Sequence, residues 1–192
     1  MINFDIHDGK LFLVPSFIPP QQADIFAARL MNELAWQEED IIIAGQRIKV
    51  TRLVCWYGDP GASYRYSGID HQPLPWNDIL QTLKQDVENY CDQHFNSVLG
   101  NLYRNGHDSM VWHTNREKEL GPEPFIASLS FGAERLFKIR HNKTKEILDI
   151  ALPHGSLLVM AGRLQHHWRH AIPKSRVAKA ARVNLTFRTI LL

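Results

Sequence analysis

Cysteine is scarce in this chain of 192 residues: there are two, Cys55 and Cys91. They do not form a CxxC pair, so a redox motif or zinc cluster of that kind is excluded, and two reduced thiols are expected. Long apolar runs are missing as well. No stretch nears the ~20 apolar residues of a membrane span, and the opening Met1–Phe17 lacks the basic start and apolar core of a secretory signal. The expectation is a soluble protein without a membrane partner, not secreted, residing in the cytoplasm or, in a eukaryote, the nucleus. An excess of one charge is also absent. Lys and Arg number 22 against 20 Asp and Glu, and the net charge of +2 is too small to announce a polyanion partner. No repeat, low-complexity tract or linker interrupts the chain. Residues 1–192 therefore read as one domain, long enough for a real hydrophobic core, and a monomer is expected.

The pattern along the chain changes part-way. Lys10–Phe17 reads as a strand, and a helix follows Pro20 with Phe26, Leu30 and Leu34 on one face. Ile41-Ile42-Ile43, Ala44-Gly45 and Gln46–Val50 form a predicted hairpin turning at Gly45. Its three isoleucines suit either a strand buried on both faces or an apolar wedge at the surface. Leu53–Tyr57 is a further strand, and Tyr64-Arg65-Tyr66 an aromatic, basic loop. Asp78–Phe95 reads as a second helix with Ile79, Leu83, Val87 and Tyr90 on one stripe. Beyond Phe95 come short β-type runs: 97–104, 110–115, 125–131, 136–140, 146–152, 156–160 and 182–192. Helices followed by many short strands predict an α+β chain with a sandwich or jelly-roll core.

The last run, Arg182-Val183-Asn184-Leu185-Thr186-Phe187-Arg188, is the most informative. Strand side chains alternate, so Val183, Leu185 and Phe187 face one way and Arg182, Asn184, Thr186 and Arg188 the other. The polar face belongs either to a surface strand or to a lined interior. In an interior, two guanidiniums need anions, and a dicarboxylate would serve both. A second element is His113-Thr114-Asn115. On a strand, His113 and Asn115 share a side, and with His170 downstream they could converge on one metal as two imidazoles and an oxygen donor. Arg47, Lys49, Arg52 and Arg65 on one side, and Lys143, Lys145, Lys174, Arg176 and Lys179 on the other, could form a phosphate-binding rim.

Asn101-Leu102-Tyr103, His113-x-Asn115, the block Ile126–Ala133, His154–Leu158, Trp168-x-His170 and Arg182-x-Asn184-x-Thr186-x-Arg188 follow one another in an order that resembles AlkB-type Fe(II)- and 2-oxoglutarate-dependent dioxygenases. The resemblance runs from about Phe17 to the C-terminus and is strongest in the last strand and the Ser-Phe-Gly-Ala block. It implies a double-stranded β-helix with N-terminal helices and a nucleotide-recognition lid. The implied activity is oxidative demethylation of N-alkylated bases, of the 1-methyladenine and 3-methylcytosine type, in DNA and as a further candidate RNA.

On that resemblance His113, Asn115 and His170 hold iron. Asn101, Tyr103, Arg182, Asn184 and Arg188 hold 2-oxoglutarate, Arg182 clamping its distal carboxylate and Arg188 lying near the metal-binding end. Tyr66 and His113 sandwich a flipped base, Glu117 hydrogen-bonds the base edge, and Arg188 and Glu117 serve catalysis. The hairpin 41–46 matches the lid that probes the duplex, which favours the wedge. One position departs from the family: Asn115 stands where the family has aspartate. An amide is a neutral, poorer donor than a carboxylate. A catalytically impaired homologue that still binds nucleic acid is therefore the alternative reading.

Overall fold

The computed structural model describes residues 1–43, 46–62, 64–66, 69–178 and 180–191, with the backbone alone at 41–43, 64–66 and 69–71. Strands β1 (Ile2–Asn3) and β2 (Lys10–Val14) lead into helix α1 (Pro20–Glu33). Then come β3 (Asp40–Ile43), β4 (Gln46–Lys49), β5 (Leu53–Gly58), β6 (Tyr64–Tyr66) and β7 (Ile69–His71). Helix α2 (Asp78–Cys91) precedes β8 (Ser97–Tyr103), β9 (Met110–His113), β10 (Ile126–Gly132), β11 (Arg135–His141), β12 (Ile147–Leu152) and β13 (Ser156–Ala161). The short α3 (Leu164–His167), β14 (Trp168–Ile172) and β15 (Arg182–Arg188) complete the chain.

Seven strands form one sheet in the order β1-β2-β13-β10-β15-β8-β5, and four form another, β12-β11-β14-β9. The ladders in both are antiparallel. The two sheets face each other. Tyr103, Ile126, Leu158 and Met160 from the larger meet Phe137, Ile139, Ile150 and Ile172 from the smaller in one apolar cluster. The larger sheet's other face carries Leu129, Leu157, Val183, Leu185 and Phe187 against α1 and α2. Covered on both sides, β8, β13 and β15 are buried throughout. The result is an α+β chain with a jelly-roll core, a double-stranded β-helix with its helices on one flank, as expected.

Local chemistry explains the helices. Pro20 opens α1 at a position whose N–H would be unsatisfied in any case. Asn77 caps α2, its side-chain oxygen accepting from Leu80 N–H at 3.0 Å. This helix is shorter than the predicted 78–95. Asp92, left-handed at φ 50°, returns its N–H to the Glu88 carbonyl and stops it. Phe95 drops into the core from outside the helix, and Tyr90 is exposed with its ring edge against Phe17.

Other boundaries also moved. The strand expected at Lys10–Phe17 ends at Val14, and the last strand, expected to run to residue 192, ends at Arg188. Tyr64–Tyr66, expected as loop, pairs with Ile69–His71. Strand β14 was not expected, because Trp168-Arg169-His170 reads as polar sequence. The Ala44-Gly45 turn and the Ile41–Ile43 side chains lie outside the described residues, so neither reading of the isoleucines is tested. Among the described residues no helix is long and apolar enough to cross a membrane. Both cysteines are free, and burial pushes the Cys55 thiol up to about 12 and the Cys91 thiol to about 11, away from reactive thiolate.

At Gly100, between Leu99 and Asn101 on β8, a Cβ would come 2.4 Å from the Cys55 sulfur and 3.1 Å from the Trp36 ring. Glycine there lets β5 and the 34–36 segment close on the sheet. In the centre of the same sheet, Leu185 is fully buried between the β10 and β8 ladders. Leu185→Ala is expected to lower unfolding free energy by about 2–5 kcal/mol, measured by urea denaturation.

Candidate active site

Cross-strand register assembles the site. On β8 and β15, Asn101 lies opposite Asn184 and Tyr103 opposite Arg182. On the smaller sheet, His113 of β9 lies opposite His170 of β14. Residues directly opposite share a face, so the first four point into the space between the sheets and the two histidines answer from the other side. One narrow cavity is lined by Asn101, Tyr103, Arg182, Asn184 and Arg188 together with His113, Asn115 and His170. The polar face of β15 is thus interior, which decides between the two readings of that strand.

The larger sheet's half is a hydrogen-bonded network. Arg52 Nε donates to Asn101 Oδ1 at 2.6 Å. Asn184 donates to Ser128 Oγ at 2.8 Å and to the Leu129 carbonyl at 2.9 Å. Thr186 Oγ donates to Asn184 Oδ1 at 3.2 Å. Arg182, 2% exposed, gives Nη2 to Ser130 Oγ at 2.9 Å. Its Nε and Nη1 are buried without an acceptor among the described residues. Burial pushes this guanidinium down to about 10, with the neighbouring Tyr103 acting the other way. It remains a cation at neutral pH, held where, among the described residues, no acidic side chain accepts its hydrogen bonds.

The histidine half holds neutral rings. His113 Nδ1 meets the Val111 carbonyl at 2.9 Å. That contact puts the ring proton on Nδ1 and leaves the Nε2 lone pair for a ligand. The two imidazole centroids are 4.2 Å apart, and His170 stacks on Phe137 at 5.3 Å. Dense packing around the rings disfavours their charged forms. It pushes His113 down to about 4, with Arg52 and Arg188 adding to the effect, and His170 well below its usual range, with His113 and Arg188 adding to the effect.

Asn115 reaches this pair from outside the strand. Strand β9 ends at His113, so the expected strand-like sharing of a side does not hold. Instead the Asn115 N–H donates to Gln165 Oε1 at 2.9 Å, and this fixes the turn. Its Nδ2 then lies 3.5 Å from His170 Nε2, and its Oδ1 accepts from Arg188 Nη2 at 3.2 Å.

One expected site residue does not line this cavity, and the side chain of another is not described. Glu117 sits at the entry to the 3-10 turn Lys118–Leu120, with Oε2 buried and without a partner among the described residues. The Tyr66 side chain lies outside the described residues. Arg52, expected on a basic rim, is buried beside Asn101. Of the other rim residues, Lys49 pairs with Glu38 at 2.6 Å and Arg47 with Asp40 at 3.8 Å. Lys174 and Arg176 line a groove of about 650 Å³ with His107. Lys143 and Lys145 are exposed, while Arg65 and Lys179 fall outside the description. Sequence reasoning missed Ser128, Ser130 and Gln165. The two serines alternate with Ala127, Leu129 and Phe131 in β10, a period-two signal that could have exposed them. Gln165 carries no such mark.

The sequence model of the 2OG-Fe(II) oxygenase superfamily matches residues 10–188. The chain belongs to that superfamily. It is 39% identical over 192 residues to the human alpha-ketoglutarate-dependent dioxygenase alkB homolog 3, covering 95% of this chain and 66% of the relative. It is also 39% identical over 158 residues to the human DNA oxidative demethylase ALKBH2, covering 78% of this chain and 60% of the relative. The chain therefore spans just under two thirds of the length of these relatives. Among solved structures, that of OsALKBH1 superposes with a TM-score of 0.65 at 17% identity, over 93% of this chain and 97% of that one, which bears on the fold alone.

The residues that line this cavity have the chemistry of the two groups that the superfamily's description implies. His113, Asn115 and His170 bring two neutral imidazoles and one amide to a single cavity, and turning the amide over, so that its oxygen and not its nitrogen faces His170, would complete a donor set suited to iron. Arg182, with two unpartnered nitrogens, suits a carboxylate.

The low histidine values give a pH signature. Between about 6.5 and 4 an unfolded chain takes up protons on these two rings and the folded chain does not, so folded stability rises with pH and falls on acidification. His113→Gln is expected to flatten that slope, followed by denaturation midpoints at pH 7, 6 and 5.

Proposed function

We propose that this chain is an AlkB-type dioxygenase that removes N-alkyl groups oxidatively from DNA bases such as 1-methyladenine and 3-methylcytosine, with RNA as a further substrate. What carries the reading is a cation at Arg182 with open hydrogen-bonding nitrogens across one cavity from a His113–Asn115–His170 donor set. The names of the relatives, a dioxygenase and a DNA oxidative demethylase, point the same way.

Bound in this cavity with O2, iron and 2-oxoglutarate would supply the oxidising equivalents to hydroxylate the N-alkyl carbon, whose hemiaminal breaks down to formaldehyde and the unmodified base, with succinate and CO2 as co-products. The chain does the holding. His113 and His170 present lone pairs without first losing protons. Arg182 takes the distal carboxylate of 2-oxoglutarate, oriented by Ser130 and Tyr103. Asn101 and Asn184, cross-bonded at 3.4 Å, and Arg188 bound its other end. Val54 lies opposite Asn101, so a groove of about 410 Å³ lined by Val54, Trp56 and Leu99 continues along the same sheet face as a path for the base. Tyr66 and the His113 ring would sandwich that base, with Glu117 at its edge and the 41–46 hairpin at the duplex.

A second reading has its own observation: the Asn115 amide faces Arg188 where a carboxylate would form an ion pair. The donor set is then neutral, and turnover is slow or lost while binding survives. Asn115→Asp is close to isosteric. It is expected to raise Fe(II) affinity and to raise formaldehyde release from an oligonucleotide carrying 1-methyladenine by at least tenfold, about 1.4 kcal/mol in barrier. Equal turnover by both forms would make the amide an adequate ligand, and no turnover by either would sink the dealkylase reading. Arg182→Ala is expected to weaken 2-oxoglutarate binding by about 2–5 kcal/mol, some thirtyfold or more, in calorimetric titration.

A further inference from the structure

Away from the active-site cavity, three metal-binding side chain types meet at one end of the smaller sheet. His141 closes β11, His167 ends α3, and Asp8 sits in the turn before β2. One ligand atom from each lies within 4.8 Å of the others. Asp8 Oδ2 is 3.3 Å from His141 Nε2 and 3.8 Å from His167 Nδ1. We propose that Asp8, His141 and His167 form a second metal site, for a divalent cation of the zinc class, separate from the His113–Asn115–His170 set.

Four observations support it. His141 is 3% exposed, and its Nε2, directed toward Asp8, is buried without a hydrogen-bond partner among the described residues. A buried ring nitrogen with a 3.3 Å carboxylate contact in place of a formed hydrogen bond is under-satisfied, and a cation between the two groups would satisfy both. The rings of His141 and His167 lie parallel, 7° apart, with centroids 6.1 Å apart, so they flank one space. Trp168 braces His141 edge-on at 4.9 Å, and its own Nε1 is tied to the His7 carbonyl at 2.8 Å, so the ring and the Asp8 turn belong to one packed unit. Asp8 itself stands at φ 60°, a left-handed conformation that a non-glycine residue holds at some cost.

The chemistry selects the ion. Two imidazoles and one carboxylate favour zinc, cobalt or nickel over magnesium or calcium, which take all-oxygen shells. Tetrahedral ligands ~2.0–2.1 Å from zinc lie roughly 3.4 Å from each other, so the two measured separations need little closure. Asp8 is part-exposed, which leaves a way in and room for water as a fourth ligand. One contact opposes binding. The Thr144 N–H and hydroxyl both meet His141 Nδ1 at 3.0 Å. With a metal on Nε2 the ring proton moves to Nδ1, where the Thr144 hydroxyl accepts it and the amide loses its bond, so affinity is moderate. A filled site would clip the N-terminal turn to the segment that carries Gln165 and His170, and so stiffen the wall of the main cavity.

The test separates this site from the other. Metal-freed His113→Ala/His170→Ala protein, titrated with Zn2+ in a calorimeter, is expected to bind one equivalent, and with Co2+ to develop visible d–d absorption. Adding Asp8→Ala or His167→Ala should weaken that binding at least tenfold. Asp8 and His167 are not part of the core, and matching unfolding midpoints in EDTA would show that the fold survives. In the reverse experiment, Asp8→Ala/His167→Ala with an intact main cavity should bind one equivalent fewer than the parent chain. If the His113→Ala/His170→Ala protein takes up no metal, or takes it up regardless of Asp8 and His167, the second site does not exist and the cluster is a His141–Asp8 contact alone. Neither result depends on whether the main cavity turns over.

Discussion

The structure is organised around a buried cation that no acidic side chain among the described residues pairs with. Arg182 lies between two packed sheets, its hydrogen-bonded partner is the neutral Ser130 hydroxyl, and Arg52 is buried nearby against the neutral Asn101. Burying guanidinium without an acid is unfavourable unless an anion arrives. The folding energy for holding it comes from the apolar face of the same strand, where Val183, Leu185 and Phe187 sink into the layer beneath α1 and α2. One period-two sequence thus anchors itself with alternate residues and strains itself with the others. A pocket built this way favours an anionic ligand.

Asn115 belongs to the same charge balance. An aspartate there would set a carboxylate against Arg188, and the amide leaves that corner more positive. The backbone hold on this position does not involve the side chain that the exchange would alter, because the Asn115 N–H bonds to Gln165. The balance instead bears on the metal: two neutral rings and a neutral amide stabilise a dication less than a set with one anion. The placement of the donors and their charge are therefore separable properties in this chain.

The sequence carried much of this. The alternation in β15 gave the face, because side-chain direction in a strand follows from order alone, and the expected donors His113, Asn115 and His170 do line one cavity, although Asn115 arrives there from outside the strand. Three things were hidden. Strand β14 is polar at Arg169 and His170, since one face of it lines a cavity, so its hydropathy does not read as a strand. Asn115 converges through a turn held by a glutamine 50 residues away, a tertiary contact without local signature. Arg52 looked like a surface base because its burial depends on how β5 meets β8. The expected rims rested on composition, and composition does not fix where a long side chain points, as the buried Arg52 shows.

Gly100 shows how far the site's demands reach. It has no side chain, lines neither the cavity nor the groove beside it, and sits on the strand that carries Asn101 and Tyr103. A single methyl there would collide with Cys55 and Trp36, and the strand would have to slide or bow, taking both neighbours along. In a survey of random variants, position 100 would score alongside the chemical residues while contributing nothing to the chemistry. Intolerance to change here measures how finely the ruler is divided, and a map of sensitive positions would outline the strand's fit against its neighbours as much as the site itself.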